Sequence, residues 1–195
     1  MNSFIIADPN KCIGCRTCEI ACVLAHSPED ALINGTIDKS FYPRLSVIKT
    51  ATVSAPVQCR HCEDAPCANV CPHGAIVNVN NTIQIDSDAC IGCKTCMLAC
   101  PFGAIDLAQQ CKEGDLVWQH GLNVVDEEGE HAKEKLVGLK CDLCIGRKEG
   151  PACKGVCPTN AFTAVEGKLI SASITKKRQS SALELARLPG GNSRL

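Results

Sequence analysis

The sequence predicts an α+β fold made of two related, pseudosymmetric modules of short β-hairpins and short helices, the outer module enclosing the inner one in sequence. Three observations predict it. The 195-residue chain carries 17 cysteines but only 3% aromatic residues, so much of its 45% hydrophobic content is thiol rather than ordinary core. Sixteen of the 17 cysteines fall into four quartets that each begin C-x-x-C and end C-x-x-x-C. Two quartets, CIGCRTCEIAC from Cys12 and CIGCKTCMLAC from Cys90, are near copies, which makes the chain an internal repeat.

The first quartet is Cys12, Cys15, Cys18 and Cys22. Val23 follows it, so the chain is expected to continue helically through EIACVLAH until Ser27-Pro28, where proline stops a helix. Ser27–Asp38 lacks periodicity and is expected to be a surface loop, and Pro43–Thr50, PRLSVIKT, reads as a strand. The second quartet is Cys59, Cys62, Cys67 and Cys71, with a widened middle gap and Pro72 directly after it. GAIVNVNNTIQID then reads as a hairpin turning at Asn80-Asn81.

The third quartet, Cys90, Cys93, Cys96 and Cys100, closes with Pro101 and a short GAIDL strand. From Asp106 to Lys140 a hairpin or loop insertion is expected, holding the odd Cys111 and the single Trp118. The fourth quartet, Cys141, Cys144, Cys153 and Cys157-Pro158, again has a wide middle gap. NAFTAVEGKLI reads as another hairpin, turning at Glu166-Gly167. A helix is expected over Ile174–Leu188, ended by Pro189-Gly190-Gly191. The expected division is 1–55 plus 140–172 for the outer module, 56–108 for the inner one, 109–139 as an insertion, and 173–195 as a C-terminal helix and tail.

The run Cys90–Pro101, CIGCKTCMLACP, is the signature of proteins that ligate [4Fe-4S] clusters, in which the fourth cysteine serves a different cluster from the first three. It therefore demands a second set of cysteines. The second and third quartets are adjacent and should exchange their fourth members, which leaves the first and fourth quartets to do the same. Four [4Fe-4S] clusters follow. Their ligands are Cys12, Cys15, Cys18 and Cys157; Cys22, Cys141, Cys144 and Cys153; Cys59, Cys62, Cys67 and Cys100; and Cys71, Cys90, Cys93 and Cys96. Zinc is the competing reading, since C-x-x-C pairs also build thiolate zinc sites. Against it, three closely spaced cysteines wrap one site here, and Cys-Pro is the iron-sulfur ending.

The formal charge of -1 and pI near 6.5 give no nucleic-acid surface. Thiolates on clusters would make the holoprotein more acidic, and Lys11, Arg16, Lys94, Lys140 and Lys154 beside the motifs would offset part of that charge. Met1–Asp8 shows no secretory pattern and no stretch reaches a membrane span, so a cytoplasmic protein without membrane insertion is expected. No nucleotide-binding glycine motif is present, and with all clusters fully ligated no catalytic residue is expected. His61 and His73 stand beside cluster ligands, where they would either tune a cluster or lie in exposed loops. Cys111 reads as a free thiol and Trp118 as a packing residue or partner contact.

The nested order, with MNSFIIADPNKCIGCRTCEIAC, CRHCEDAPCANVCPHGAI, CIGCKTCMLACPFGAI and KCDLC…GPACKGVCPT, resembles the four-cluster electron-transfer subunits that accompany molybdopterin enzymes of the DMSO reductase family. The resemblance is most specific to the small subunits of formate hydrogenlyase and of hydrogen-dependent carbon dioxide reductase, the HydN-like group, and it covers about Met1–Phe162. It implies a non-catalytic subunit conducting electrons between a molybdenum or tungsten formate dehydrogenase and a hydrogenase. It also implies contact with related iron-sulfur subunits or further copies of the chain, the latter as filaments through the C-terminal helix. The alternatives are a free polyferredoxin serving several oxidoreductases, or a subunit of another molybdopterin enzyme or of carbon monoxide dehydrogenase.

Overall fold

The computed structural model describes residues 1–27, 41–112, 115–127 and 129–187. It is a small α+β fold in which all strands form two-stranded antiparallel ribbons, with short helices between them and one long helix at the end. Strand β1, Phe4–Ala7, is paired by β12, Phe162–Val165, with Ile5 opposite Ala164. Helix α1, Thr17–Ala25, follows the first two cysteines of its quartet, carries the other two and runs through Val23, as the absence of proline there predicts. Strands β2, Leu45–Lys49, and β3, Ser54–Gln58, form a hairpin.

Helix α2, Pro66–Asn69, opens on proline, whose fixed φ suits a first helical turn. Strands β4, Ile76–Val79, and β5, Thr82–Ile85, meet at Asn80 and Asn81, with φ of 51° and 60°. Two left-handed residues make the turn whose twist matches the strands, and asparagine tolerates that conformation. Helix α3, Thr95–Ala99, precedes β6, Asp106–Gln109. The insertion holds β7, Cys111–Lys112, with β8, Asp115–Leu116, and β9, Trp118–Asp126, with β10, Gly129–Glu134. It is closed at its base where β11, Leu136–Leu139, pairs with β6. The chain continues through α4, Ala152–Gly155, to β12 and then α5, Gly167–Arg187.

Two groups of buried side chains form the core, and cysteines stand in both. Ile5, Cys18, Cys22, Leu45, Val47, Cys153 and Phe162 make the first. Ala65, Cys67, Ile76, Ile83 and Ile105 make the second, with Cys71, Cys96 and Cys100 against them. Burying Ile5 or Phe162 contributes roughly 1.5–3 kcal/mol each. Polar side chains brace the ribbons: Gln58 Nε2 donates to the carbonyl of Ile5 at 2.8 Å, and the Val47 N–H donates to Glu19 Oε1 at 2.6 Å.

Several expectations need correction. NAFTAVEGKLI is not a hairpin: β12 takes the N-terminal β1 as its partner, and Gly167 begins α5 instead of turning back. The pairing with β1 places Ile5 and Phe162 in one core, which a local hairpin would not do. The C-terminal helix therefore starts seven residues earlier than Ile174, at Gly167. The GAIDL strand begins only at Asp106. Strands β1, β3 and β11 had no counterpart in the sequence reading. Most of the Ser27–Asp38 loop and the Pro189-Gly190-Gly191 stop lie outside the described residues. Among the described residues no helix is long and apolar enough to cross a membrane.

Candidate metal centre

Each C-x-x-C begins with the same backbone turn. The residue before the second cysteine is left-handed in all four, Gly14 at φ 68°, His61 at 47°, Gly92 at 66° and Leu143 at 60°. Glycine adopts this conformation freely, whereas His61 and Leu143 each cost roughly 1–2 kcal/mol. A second left-handed residue stands three places after Cys71, Cys100 and Cys157, at Gly74, Gly103 and Asn160, where the Cys-Pro endings turn the chain back. The first quartet lacks that proline and there α1 continues.

Three cavities each bring together three cysteines of one quartet with the last of another. One cavity is lined by Cys12, Cys15, Cys18 and Cys157, the Cys12 set. A second is lined by Cys59, Cys62, Cys67 and Cys100, the Cys59 set. A third is lined by Cys71, Cys90, Cys93 and Cys96, the Cys90 set. For Cys22, Cys141, Cys144 and Cys153, the Cys141 set, the link is electrostatic: Cys141, Cys22 and Cys144 act on Cys153, and so, last of the four, does Cys18 of the Cys12 set.

Every cysteine is a free thiol. Burial pushes Cys18 and Cys67 up to about 11, Cys141 up to about 12 and Cys153 higher still. Thiols so placed resist ionisation in the bare protein, and a bound metal is what makes four converging thiolates tolerable. At the surface the order reverses, because the Thr17 hydroxyl lowers Cys15 and the Thr95 hydroxyl lowers Cys93, each from 3.4 Å. An all-sulfur donor set suits iron-sulfur clusters, and backbone donors already face the sulfurs. The N–H groups of Arg44, His61 and Gly138 reach Cys22, Cys59 and Cys90 at 3.3 Å, and those of Ala104 and Ala161 reach Cys100 and Cys157 at 3.4 Å. Such bonds stabilise negative charge on sulfur and tune a cluster's potential.

Charged side chains concentrate around the Cys141 set. Asp142, inside its C-x-x-C, accepts from His26 Nε2 at 3.0 Å, from Arg44 Nη1 at 2.5 Å and from the Cys144 N–H at 2.9 Å. His26 Nδ1 meets the carbonyl of Cys22 at 2.7 Å, so both ring nitrogens donate. Burial is the largest influence on His26 and opposes its charge, but hydrogen bonds to Asp142, Cys144 and Cys22 together outweigh it and raise the imidazole to about 11. Burial likewise opposes ionisation of Asp142, and His26 with Arg44 carries it down to about 2. His26, Asp142 and Cys144 are the one group of three among the described residues whose metal-binding atoms all lie within 4.8 Å of one another. The sequence reading missed His26, Arg44 and Asp142, although His26 lies four residues after Cys22 on one helix face.

His61 is 1% exposed, so it is not an exposed loop histidine. Its Nδ1 accepts the Ile83 N–H at 3.0 Å, and burial, with the charge of Lys140, lowers it to about 4. His73 is exposed beside the Cys90 set. Lys11, Arg16, Lys94 and Lys154 are exposed, whereas Lys140 is buried. Cys111 is exposed and in none of the four sets, and Trp118 is exposed on β9.

A model of the 4Fe-4S binding domain matches residues 83–106, which contain Cys90, Cys93, Cys96 and Cys100. The chain is 44% identical to the electron transport protein HydN of Escherichia coli K12, over 94% of this chain and 99% of that protein. It is 36% identical to hydrogenase-4 component A of the same organism, over 93% of this chain and 91% of the relative. It is also 36% identical to formate hydrogenlyase subunit 2, over 92% and 89%.

Proposed function

Because the chain belongs to the family of iron-sulfur electron-transfer proteins that includes HydN and formate hydrogenlyase subunit 2, we propose that it holds four [4Fe-4S] clusters and conducts electrons between partner redox enzymes without catalysing a reaction itself. The convergence of twelve cysteines on three cavities of four, with the electrostatic link of Cys22, Cys141 and Cys144 to Cys153, carries this reading. Bound clusters supply one-electron reduction and oxidation. The chain's residues ligate, insulate and tune them.

The order of the sets supports a linear wire. Cys18 of the Cys12 set and Cys22 and Cys153 of the Cys141 set share one core. Cys67 and Cys100 of the Cys59 set share the other with Cys71 and Cys96 of the Cys90 set. The two halves meet where the charge of Cys59 acts on Cys141. The terminal sets reach the surface at Cys15 and Cys93, beside exposed Ile13 and Ile91, and these are the points where partners would exchange electrons. In the same reading the sets form two ferredoxin-like modules, 1–55 with 140–172 outside and 56–108 inside, the two segments of the outer one joined by the pairing of β1 with β12.

We propose a molybdenum or tungsten formate dehydrogenase and a hydrogenase as partners, in the cytoplasm; relatives named as components of formate hydrogenlyase and of a hydrogenase support redox-enzyme partners of this kind. Iron and sulfide near sixteen each, with EPR of the reduced protein, test the cofactor; zinc in place of iron overturns it. Anaerobic purification from the native host tests the partners: stoichiometric co-elution with an oxidoreductase is expected, and elution alone as a monomer favours a free polyferredoxin. One observation favours a second role in assembly. Helix α5 buries none of its residues and leaves Leu169, Ile174, Leu183 and Leu185 exposed, so it is available to a partner or another copy.

A further inference from the structure

Lys140 is 4% exposed, immediately before Cys141. Its Nζ donates to the carbonyl of Ile83 and, at 3.1 Å, to the carbonyl of Cys141. Cys141 belongs to the Cys141 set, while Ile83 lines the cavity of the Cys59 set. The ammonium thus stands between the two sets at the middle of the wire. Among the described residues no carboxylate pairs with it; the nearest in sequence, Asp142, has its oxygens occupied by His26, Arg44 and the Cys144 N–H. A buried cation without a counter-ion costs several kcal/mol, so such a group persists where an anion offsets it. Carbonyl oxygens alone supply dipoles, not charge. The anions to hand are thiolates: the charge of Lys140 acts on Cys62 and Cys67, opposing the upward push of burial on both.

We propose that the Lys140 ammonium is a countercharge shared by the Cys141 and Cys59 sets, holding up the reduction potentials of the two clusters they ligate and so easing the electron's passage across the junction between the two halves of the chain. The inference rests on the four-cluster reading above. An added electron makes each cluster more negative, and a fixed positive charge in a low-dielectric setting favours that reduced form. Because Lys140 contacts backbone on both sides, one charge acts on donor and acceptor together. Passage of the electron oxidises the first cluster and reduces the second with no proton required. Lys11, Arg16, Lys94 and Lys154, the other basic residues beside the motifs, are exposed and exert less.

The test compares wild type with Lys140→Met, Lys140→Gln and Lys140→Arg, each reduced stepwise with dithionite and followed by EPR. Loss of the charge is expected to lower two of the four midpoints by at least a tenfold change in the reduction equilibrium, ~59 mV for one electron. The other two should hold, and Lys140→Arg should stay near wild type. Iron analysis is read separately. Wild type short of the two central clusters overturns both this inference and the four-cluster reading, whereas full iron with unshifted midpoints in Lys140→Met overturns the role of Lys140 alone. Iron lost from the Met and Gln variants but kept by Arg supports the countercharge; iron lost from Arg as well, or equal shifts at all four clusters, overturns it.

Discussion

Arg44 donates through Nη1 to Asp142 Oδ2 at 2.5 Å, joining the start of β2 to a C-x-x-C motif 98 residues away. His26, at the end of α1, holds the other carboxylate oxygen. The three side chains lie mostly out of solvent, so removing one leaves the others under-paired. Asp142→Asn is expected to destabilise the holoprotein by about 1.5–3 kcal/mol, and Arg44→Ala by a similar amount. Because both act on one network, the double variant should cost clearly less than the sum. Anaerobic denaturant titration of all four proteins checks this, and strict additivity would mean that Arg44 and Asp142 do not work as a pair.

The near-identical motifs CIGCRTC and CIGCKTC should respond differently to the same substitution. Gly14 and Gly92 are both left-handed, so alanine at either costs roughly 1–2 kcal/mol from backbone strain. At Gly14 the added Cβ meets the movable Ser54 hydroxyl at 3.0 Å, whereas at Gly92 it falls 2.5 Å from the backbone oxygen of Leu136. Gly92→Ala is therefore expected to lower the thermal midpoint distinctly more than Gly14→Ala. Equal losses would show that β11 does not press on the Cys90 motif.

That contact also marks what the sequence could and could not disclose. The cysteine spacings, the Asn80-Asn81 turn and the run of α1 past Val23 were legible because each follows from a local rule: ligand spacing, left-handed tolerance, the missing proline. The pairing of β1 with β12 and of β6 with β11 was not, since each strand is only four residues long and its partner lies far away in sequence. Four residues carry too little periodicity to announce a strand. Glu166-Gly167 resembled a turn for the same reason, although the chain enters a 21-residue helix there. The burial of Lys140 and the joining of His26 to Asp142 were equally hidden, because charged residues default to solvent unless tertiary structure supplies partners.

Helix α5 and Cys111 lie outside the cysteine sets, and both should be separable from metal binding. Deleting the chain after Ser173 is expected to leave the iron content unchanged and stability within about 0.5 kcal/mol, as for changes to exposed residues. Cys111→Ser should do the same. If α5 is a docking element, the truncated chain elutes separately from its partners or from larger assemblies on size-exclusion, with electron microscopy as the second readout. Unchanged elution would remove assembly from its roles.

The exchange of fourth cysteines can be tested by counting what pairs of substitutions destroy. Cys59 and Cys100 line one cavity although they belong to different quartets, while Cys96 and Cys100 are neighbours in one quartet but line different cavities. If ligation follows the cavities, Cys59→Ser with Cys100→Ser damages a single cluster and costs at most about four irons, the same as the more severe single variant. Cys96→Ser with Cys100→Ser damages two clusters and costs up to about eight. Ligation by quartet predicts the reverse order, so iron analysis and EPR spin counts on two double variants separate the two arrangements. Serine is close to cysteine in size, so packing in the core that holds Cys67, Cys71, Cys96 and Cys100 changes little, and the comparison reads ligation rather than a cavity left behind.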